Sequence, residues 1–300
     1  MNGCPKVSVY LPTHRRPRLL ARAVDSVLGQ SYPDIELILS LDRPDAQTQQ
    51  VAAEARMGKV RSVRVLESPA PGACAARNAA IACAAGTLIT GLDDDDYLEP
   101  GHVSALVAAF DPARHAFAFS GFRTRLTHGA AAASDELSRL PGKDVGLSDL
   151  LRSNLVGNQV LTLTARMREI GGFDEELPAW QDYDLWLRLA RRYGAGKNVA
   201  AHSYVLDQVS AHDRISADPA RLDAAFQRFL QKHAEYRKPL FYSYLRLTRA
   251  AYGGAFLRMR DVVRIVLLDR FPTLSGFALN CYFRILRERS ASTAAGYRSR

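Results

Sequence analysis

The sequence predicts an α/β fold with a mostly parallel central sheet, followed by a helical C-terminal region. Three observations predict it. Strand-like and helix-like patterns alternate over roughly the first ninety residues, which is how parallel βαβ units read. The run Ile35 to Leu41 is continuously apolar and bounded by Pro33 and Pro44, as in a strand buried on both faces. After Asp218 the apolar spacing is helical only, with breaks at Pro239 and Pro272.

The elements follow in order. Val7 to Leu11 alternates and ends at Pro12-Thr13, a strand feeding a loop. Residues 17–29 place Leu19, Leu20, Ala23, Val24, Val27 and Leu28 on one helical face. The buried strand Ile35–Leu41 is followed by a polar helix from Asp45 to Met57 and a strand over Val60–Leu66. Gly72 to Ala85 reads as an Ala-rich helix with Gly86 as its C-terminal punctuation. Thr87 to Leu92 is a short strand running into Asp93-Asp94-Asp95-Asp96. Residues 111–157 are less regular, and His128 to Gly146 reads as a long loop. A strand is expected over Asn158–Thr164, a helix over Asp182–Arg192 and a strand over Lys197–Leu206. From Ser290 the tail reads as poorly ordered.

Composition narrows the function. With 47% hydrophobic and 24% charged residues, wholesale disorder is excluded. No export signal is expected, and Phe271 to Phe283 is too short to span a bilayer. Cys4, Cys74, Cys83 and Cys281 are too scattered for a disulfide framework or a Cys-x-x-Cys zinc site, so a reducing cytoplasmic setting is the default expectation. The net charge of +9 is uneven. From Arg221 onward there are 16 Lys/Arg against 5 Asp/Glu, which leaves the preceding residues close to neutral. A generally basic nucleic-acid binder does not divide this way, and no DNA-binding motif is present.

Three acidic positions fall where an open α/β sheet binds ligands, beyond the strand ends: Asp42, the Asp93–Asp96 run, and Asp182 at a helix start. Four consecutive aspartates are costly to hold together without a cation. A solvated turn would explain them, but Leu88 to Leu92 before and Tyr97-Leu98 after point to a rigid rim. Asp-x-Asp at a strand end suits Mg²⁺ or Mn²⁺, which take one or two carboxylates plus substrate phosphate oxygens.

From Val7 to about Ser216 the chain resembles the GT-A-fold glycosyltransferases of the large inverting family 2 type. The resemblance is carried, in order, by VSVYLPTH (residues 7–14), AVDSVLGQSYP (23–33), GACAARNAAI (72–81), LDDDDYLEP (92–100), GGFDE (171–175) and QDYDLWLR (181–188). Each piece alone is weak; six in sequence over about 200 residues are not. The resemblance implies a Rossmann-like catalytic domain over residues 1–217 and a basic helical region over 218–300. It implies that Asp42 accepts from the uracil ring, with Pro12, Thr13, His14 and Arg15 lining the nucleoside pocket and Arg77 and Asp94 near the nucleotide, although Arg77, at the start of an Ala-rich helix, fits a pairing with a surface carboxylate equally well. Asp93 and Asp95 match the metal-binding Asp-x-Asp pair, Asp95 the more direct. His212 resembles a late histidine that reaches the metal in some members, and a surface histidine fits its context equally well. Asp182 matches the catalytic base, beside Gln181 and Trp180 on the acceptor side. Asp182 could also simply cap its helix, a role compatible with the first.

The departures are Leu41 where an aspartate is common, Gln181 for a common glutamate, and Arg15 where many members have asparagine. The implied reaction is metal-dependent inverting transfer from a nucleotide-sugar donor to a saccharide or lipid-linked acceptor. The C-terminal arginines, interleaved with apolar residues from Phe256 to Leu286, are what a helix on an anionic membrane surface needs. An ordinary helical subdomain with solvated arginines satisfies the same pattern, so a cytoplasmic protein peripheral to the inner membrane face and a freely soluble one stay open. A non-catalytic nucleotide-sugar-binding or membrane-recruited protein on the same scaffold is the rival reading. A nucleotidyltransferase is disfavoured because no glycine lies between Cys4 and Val27 to form a phosphate loop.

Overall fold

The computed structural model describes residues 4–57, 62–125, 142–207, 218–236, 238–251, 257–268 and 278. The chain begins with β1 (Val7–Thr13), α1 (Pro17–Leu28), β2 (Ile35–Leu41), α2 (Ala46–Met57), β3 (Ser62–Glu67), α3 (Ala73–Cys83) and β4 (Leu88–Gly91). Next come β5 (Tyr97–Leu98), α4 (His102–Ala109), β6 (Ala118–Arg125), β7 (Asp144–Val145), α5 (Leu147–Leu150), β8 (Thr162–Leu163), α6 (Thr164–Glu169), α7 (Gln181–Tyr193) and β9 (Gly196–Asp207). Three helices follow: α8 (Pro219–Lys232), α9 (Pro239–Ala251) and α10 (Met259–Leu268).

The main sheet has the order β3-β2-β1-β4-β8. The first four strands are parallel and β8 is antiparallel to β4. β1 and β2 pair in register from Val7↔Ile35 to Thr13↔Leu41, and every residue of both strands is buried. Helices on both faces explain why these strands are continuously apolar rather than alternating. α1 contributes Leu20, Ala23, Val24 and Val27 to that core, and Pro17 opens the helix where a missing N–H costs nothing. From β1 the chain steps outward to β3, then α3 returns it to β4 on the other side of β1. The order reverses there, and the crevice beyond β1 and β4 is where such sheets bind ligands.

A second sheet, β5-β9-β6, is built on the long strand β9, with β7 also pairing β9. β6 was not expected in the irregular stretch 111–157. It runs parallel to β9 with bulges at Ser120/Gly121 and Gly121/Phe122, which break the alternation that announces a strand. The strand expected over 158–164 shrinks to Thr162–Leu163, because α6 starts at Thr164, Asn154, Asn158 and Gln159 are held by side-chain contacts, and Leu161 makes only a single antiparallel bridge to Ala118. Gly86 does not punctuate α3, which ends at Cys83. A Cβ at Gly86 would lie 2.6 Å from the Ser8 backbone nitrogen, so glycine permits close approach to β1. There Glu36, buried in β2, accepts from Ser8 Oγ and from the Ala85 and Gly86 amides.

The chain resolves into two compact units. The first comprises residues 1–150, 154–176 and 181–212; the second comprises residues 151–153, 177–180 and 213–300. In the second, Asp218 caps α8 by accepting from the Ala220 and Arg221 amides. Arg249 pairs with Asp223 at 2.9 Å, and α9 and α10 share a core of Tyr244, Leu247, Leu257, Val262 and Ile265. Among the described residues no helix is long and apolar enough to cross a membrane. Most of the expected long loop, the expected disordered tail and the Val60 strand start lie outside the described residues.

Candidate active site

The site lies beyond the carboxyl ends of β1, β2 and β4, where three chain turns converge. β1 and β2 are tied there by the Asp42 amide donating to the Thr13 carbonyl at 2.8 Å. Asp42 is buried and accepts from the Gly72 amide at 2.9 Å and from Arg43 Nε at 3.3 Å. His14 Nδ1 lies 2.8 Å from the Asp42 carbonyl oxygen, and Arg15 Nε donates to the Arg43 carbonyl at 2.9 Å. Arg15 and Arg43 both hold positive φ, 51° and 45°, a conformation that L side chains adopt at a cost and that clusters at functional sites. Pro12 and Thr13 are buried at the end of β1.

The four aspartates after β4 each have a different environment. Asp93 accepts from Arg77 Nη2 at 2.7 Å and from Gln159 Nε2 at 3.3 Å. Asp94 is buried and accepts from Thr13 Oγ1 at 2.7 Å and Arg16 Nη1 at 3.3 Å; burial pushes its carboxyl up to about 6. Asp95 lies 3.5 Å from Arg16 Nη1, with a fifth of its side chain exposed. Asp96 points inward, accepting from Tyr204 Oη at 2.9 Å and the Asp207 amide at 3.1 Å, and burial holds its carboxyl well above the ordinary range. Arg22 of α1 fixes the loop from outside. It donates to the Asp95 carbonyl at 2.6 Å, pairs with the fully buried Asp207 carboxylate, and lies over the Tyr97 ring.

Asp182 sits in the first turn of α7, where the helix N-terminus favours a carboxylate. It accepts from Asn154 Nδ2 at 3.0 Å. Desolvation pushes its carboxyl up to about 6, opposed by the Tyr183 amide, Arg77 and Asn154 and reinforced by Asp93. Arg77 therefore acts on both carboxylates: it is bonded to Asp93, it lies over the Phe173 ring at 5.1 Å, and its charge reaches Asp182. One segment reaches both carboxylates, with Asn154 bonded to Asp182 and Gln159 to Asp93. Tyr10, buried in β1, donates to Gln159 Oε1 at 2.6 Å and extends the network into the sheet. A Cβ on Gly91 would lie 2.2 Å from the Tyr10 ring, so glycine there makes room for it.

Carboxylate oxygens are the donors that hard divalent cations select. Among the described residues no group of three or more His, Cys, Asp or Glu is arranged to hold an ion alone. A site of one or two carboxylates completed by phosphate oxygens is what Asp93 and Asp95 could supply, each with about a fifth of its side chain exposed. His212 lies outside the described residues. Gln181 opens α7. Trp180 is buried at positive φ, and its ring meets Phe226 and Phe229 edge-on, so it is a packing residue of the second unit. Sequence reasoning missed Asn154, Asn158, Gln159, Arg22 and Tyr204. The only signal for the first three was polar residues spaced through an apolar stretch, NLVGNQVL.

Comparison with known proteins places the chain in a family. Residues 8–153 match the model of glycosyl transferase family 2. WcaA of Escherichia coli K12, named for colanic acid biosynthesis, is 32% identical over 237 residues, covering 78% of this chain and 84% of the relative. The chain belongs to glycosyl transferase family 2. This glycosyltransferase also aligns, at 29% identity over 63% of its length, with a fifth of the hyaluronan synthase of Pasteurella multocida. Its fold is that of GT-A enzymes. The Staphylococcus aureus TarS 1–349 structure superposes with a TM-score of 0.60 at 16% identity, covering 95% of this chain and 82% of that one. The mannosyltransferase PcManGT of Pyrobaculum calidifontis, solved with GDP-Man and Mn²⁺, superposes with a TM-score of 0.57 at 16% identity, covering 95% and 88%.

Proposed function

We propose that this glycosyltransferase is metal-dependent and inverting. It moves a sugar from a nucleoside-diphosphate sugar, foremost a UDP-sugar, to an acceptor hydroxyl during synthesis of a cell-surface polysaccharide or glycolipid. The observation that carries the reading is that one short segment bonds both carboxylates, Asn154 to Asp182 and Gln159 to Asp93, which supports the acidic loop and the helix start as two sides of one site. A TarS structure with UDP-GlcNAc and the PcManGT structure with GDP-Man and Mn²⁺ support a nucleotide-sugar donor and a divalent ion, and the name of WcaA supports polysaccharide synthesis.

Each residue has a chemical task. Asp42, with Thr13, His14 and Arg15, forms the nucleoside end. Asp95 and Asp93 would hold Mn²⁺ or Mg²⁺, which would neutralise charge on the departing diphosphate. Asp182 takes the proton from the acceptor hydroxyl as its oxygen bonds to the anomeric carbon; the bond from that carbon to the diphosphate oxygen breaks, and its electron pair leaves with the nucleotide. Attack opposite to departure inverts the anomeric carbon once.

The proposal extends to the inner membrane face. Met259, Val263, Val266, Leu267 and Leu268 of α10 are exposed beside Arg258, Arg260 and Arg264, an apolar face with cationic flanks suited to an anionic leaflet and a lipid-linked acceptor.

A thermal-shift panel of UDP- and GDP-sugars with Mn²⁺ tests the donor. At least one should stabilise the wild type in a Mn²⁺-dependent way, and Asp95→Ala should lose the Mn²⁺-dependent part. Equal Mn²⁺ dependence in that variant would remove Asp95 from the metal site.

A further inference from the structure

One short segment, residues 154–159, touches both walls of the site. Asn154 donates to Asp182, Asn158 Nδ2 donates to Asp96 Oδ2 at 3.4 Å, and Gln159 bridges Tyr10 and Asp93. Its hold on α7 is double: the indole N–H of buried Trp186 donates to the Gly157 carbonyl at 2.9 Å. Asp182 and Trp186 are four residues apart and so lie on one face of the helix, along which the segment runs.

The Asn154 amide is oriented by its own turn. Its Oδ1 accepts from the Val156 amide at 3.3 Å and the Gly157 amide at 3.2 Å, and Gly157 supports this with φ of 82°. With the oxygen end committed to backbone donors, the NH₂ end faces Asp182 and cannot swap. We propose that Asn154 is a positioning residue for Asp182, a fixed donor that holds one carboxylate oxygen in place and leaves the other to meet the acceptor hydroxyl. This rests on the reading of Asp182 as the base.

The groups acting on Asp182 are Arg77 from α3, Asp93 from the loop after β4, the Tyr183 amide of its own helix, and Asn154. Asn154 is the neutral side-chain donor among them, so it can be exchanged without altering the charges contributed by the others.

Two substitutions separate positioning from turn formation. Asn154→Asp keeps an oxygen for the Val156 and Gly157 amides but sets a carboxylate against Asp182; Asn154→Ala loses both. In full-length protein with ¹³C-labelled aspartate, the carboxyl signal absent from Asp182→Asn identifies Asp182, and its titration midpoint is read in each variant. Asn154→Asp should raise that midpoint by about one pH unit or more, and Asn154→Ala should raise it by less. A wild-type midpoint in Asn154→Asp, with thermal stability retained, would overturn the proposal and leave Asn154 a turn residue only. Nucleotide release from UDP-N-acetylglucosamine and GDP-mannose with Mn²⁺ is followed alongside. Release by Asp182→Asn at the wild-type rate would defeat the base assignment, and the midpoint would still decide the role of Asn154.

Discussion

Asp182 carries a carboxyl whose affinity for protons is raised to about 6 by desolvation, close to the pH at which a general base works best. Transfer should therefore rise with pH through about 6 and level off above it, and a rate independent of pH between 5 and 7 would contradict this. Asp182→Asn should lower kcat by roughly 10² or more while leaving donor affinity intact. The same change should stabilise the fold. The folded chain holds the Asp182 proton more tightly than the unfolded chain, so stability falls as pH rises from about 4 to about 6 and stays lower above. At pH 7 the variant escapes that cost, and its Tm should rise by a few degrees; an unchanged or lower Tm would mean the carboxylate is better solvated than its surroundings indicate.

At the scale of elements, α1 does more than cover the sheet. Through Arg22 it anchors both the loop after β4 and the end of β9, since Asp207 is fully buried and also meets Arg125 at 3.3 Å. Removing the guanidinium leaves a buried carboxylate short of its main partner, so Arg22→Ala should cost about 3 kcal/mol in denaturant unfolding. It should also weaken Mn²⁺-dependent nucleotide binding, because the Asp95 carbonyl loses its donor; unaffected binding would show that the loop holds its shape alone. The βα alternation from β1 to β4 was legible in the sequence because buried parallel strands and amphipathic helices have distinct periods. β6 was not, because its bulges disrupt alternation and its partner β9 lies some seventy residues away. Gly86 was misread for a related reason: a glycine that admits a neighbouring strand looks the same as one that ends a helix.

At the scale of the whole molecule, the net positive excess seen in the sequence falls in the second unit, where 16 Lys/Arg face 5 Asp/Glu from Arg221 onward. Val263→Asp with Leu267→Asp should reduce sedimentation with anionic vesicles and leave nucleotide binding unchanged, because both side chains are exposed on α10. Equal sedimentation would assign the arginines to solvent. The motifs gave the family and the carboxylates in chain order, since each motif is local. They did not reveal that Trp180 packs against Phe226 and Phe229, or that Asn154 meets Asp182, because those partners are fixed by folding across 28 to 49 positions.

The contact between Gly91 and Tyr10 reaches further than its size suggests. The missing methyl on one strand is the space in which its neighbour's ring lies, and that ring's hydroxyl steadies Gln159 beside Asp93. Two positions far apart in the chain are therefore coupled: a side chain at Gly91 would displace both the Tyr10 ring and the Gln159 amide, and with them the prop beneath the acidic loop.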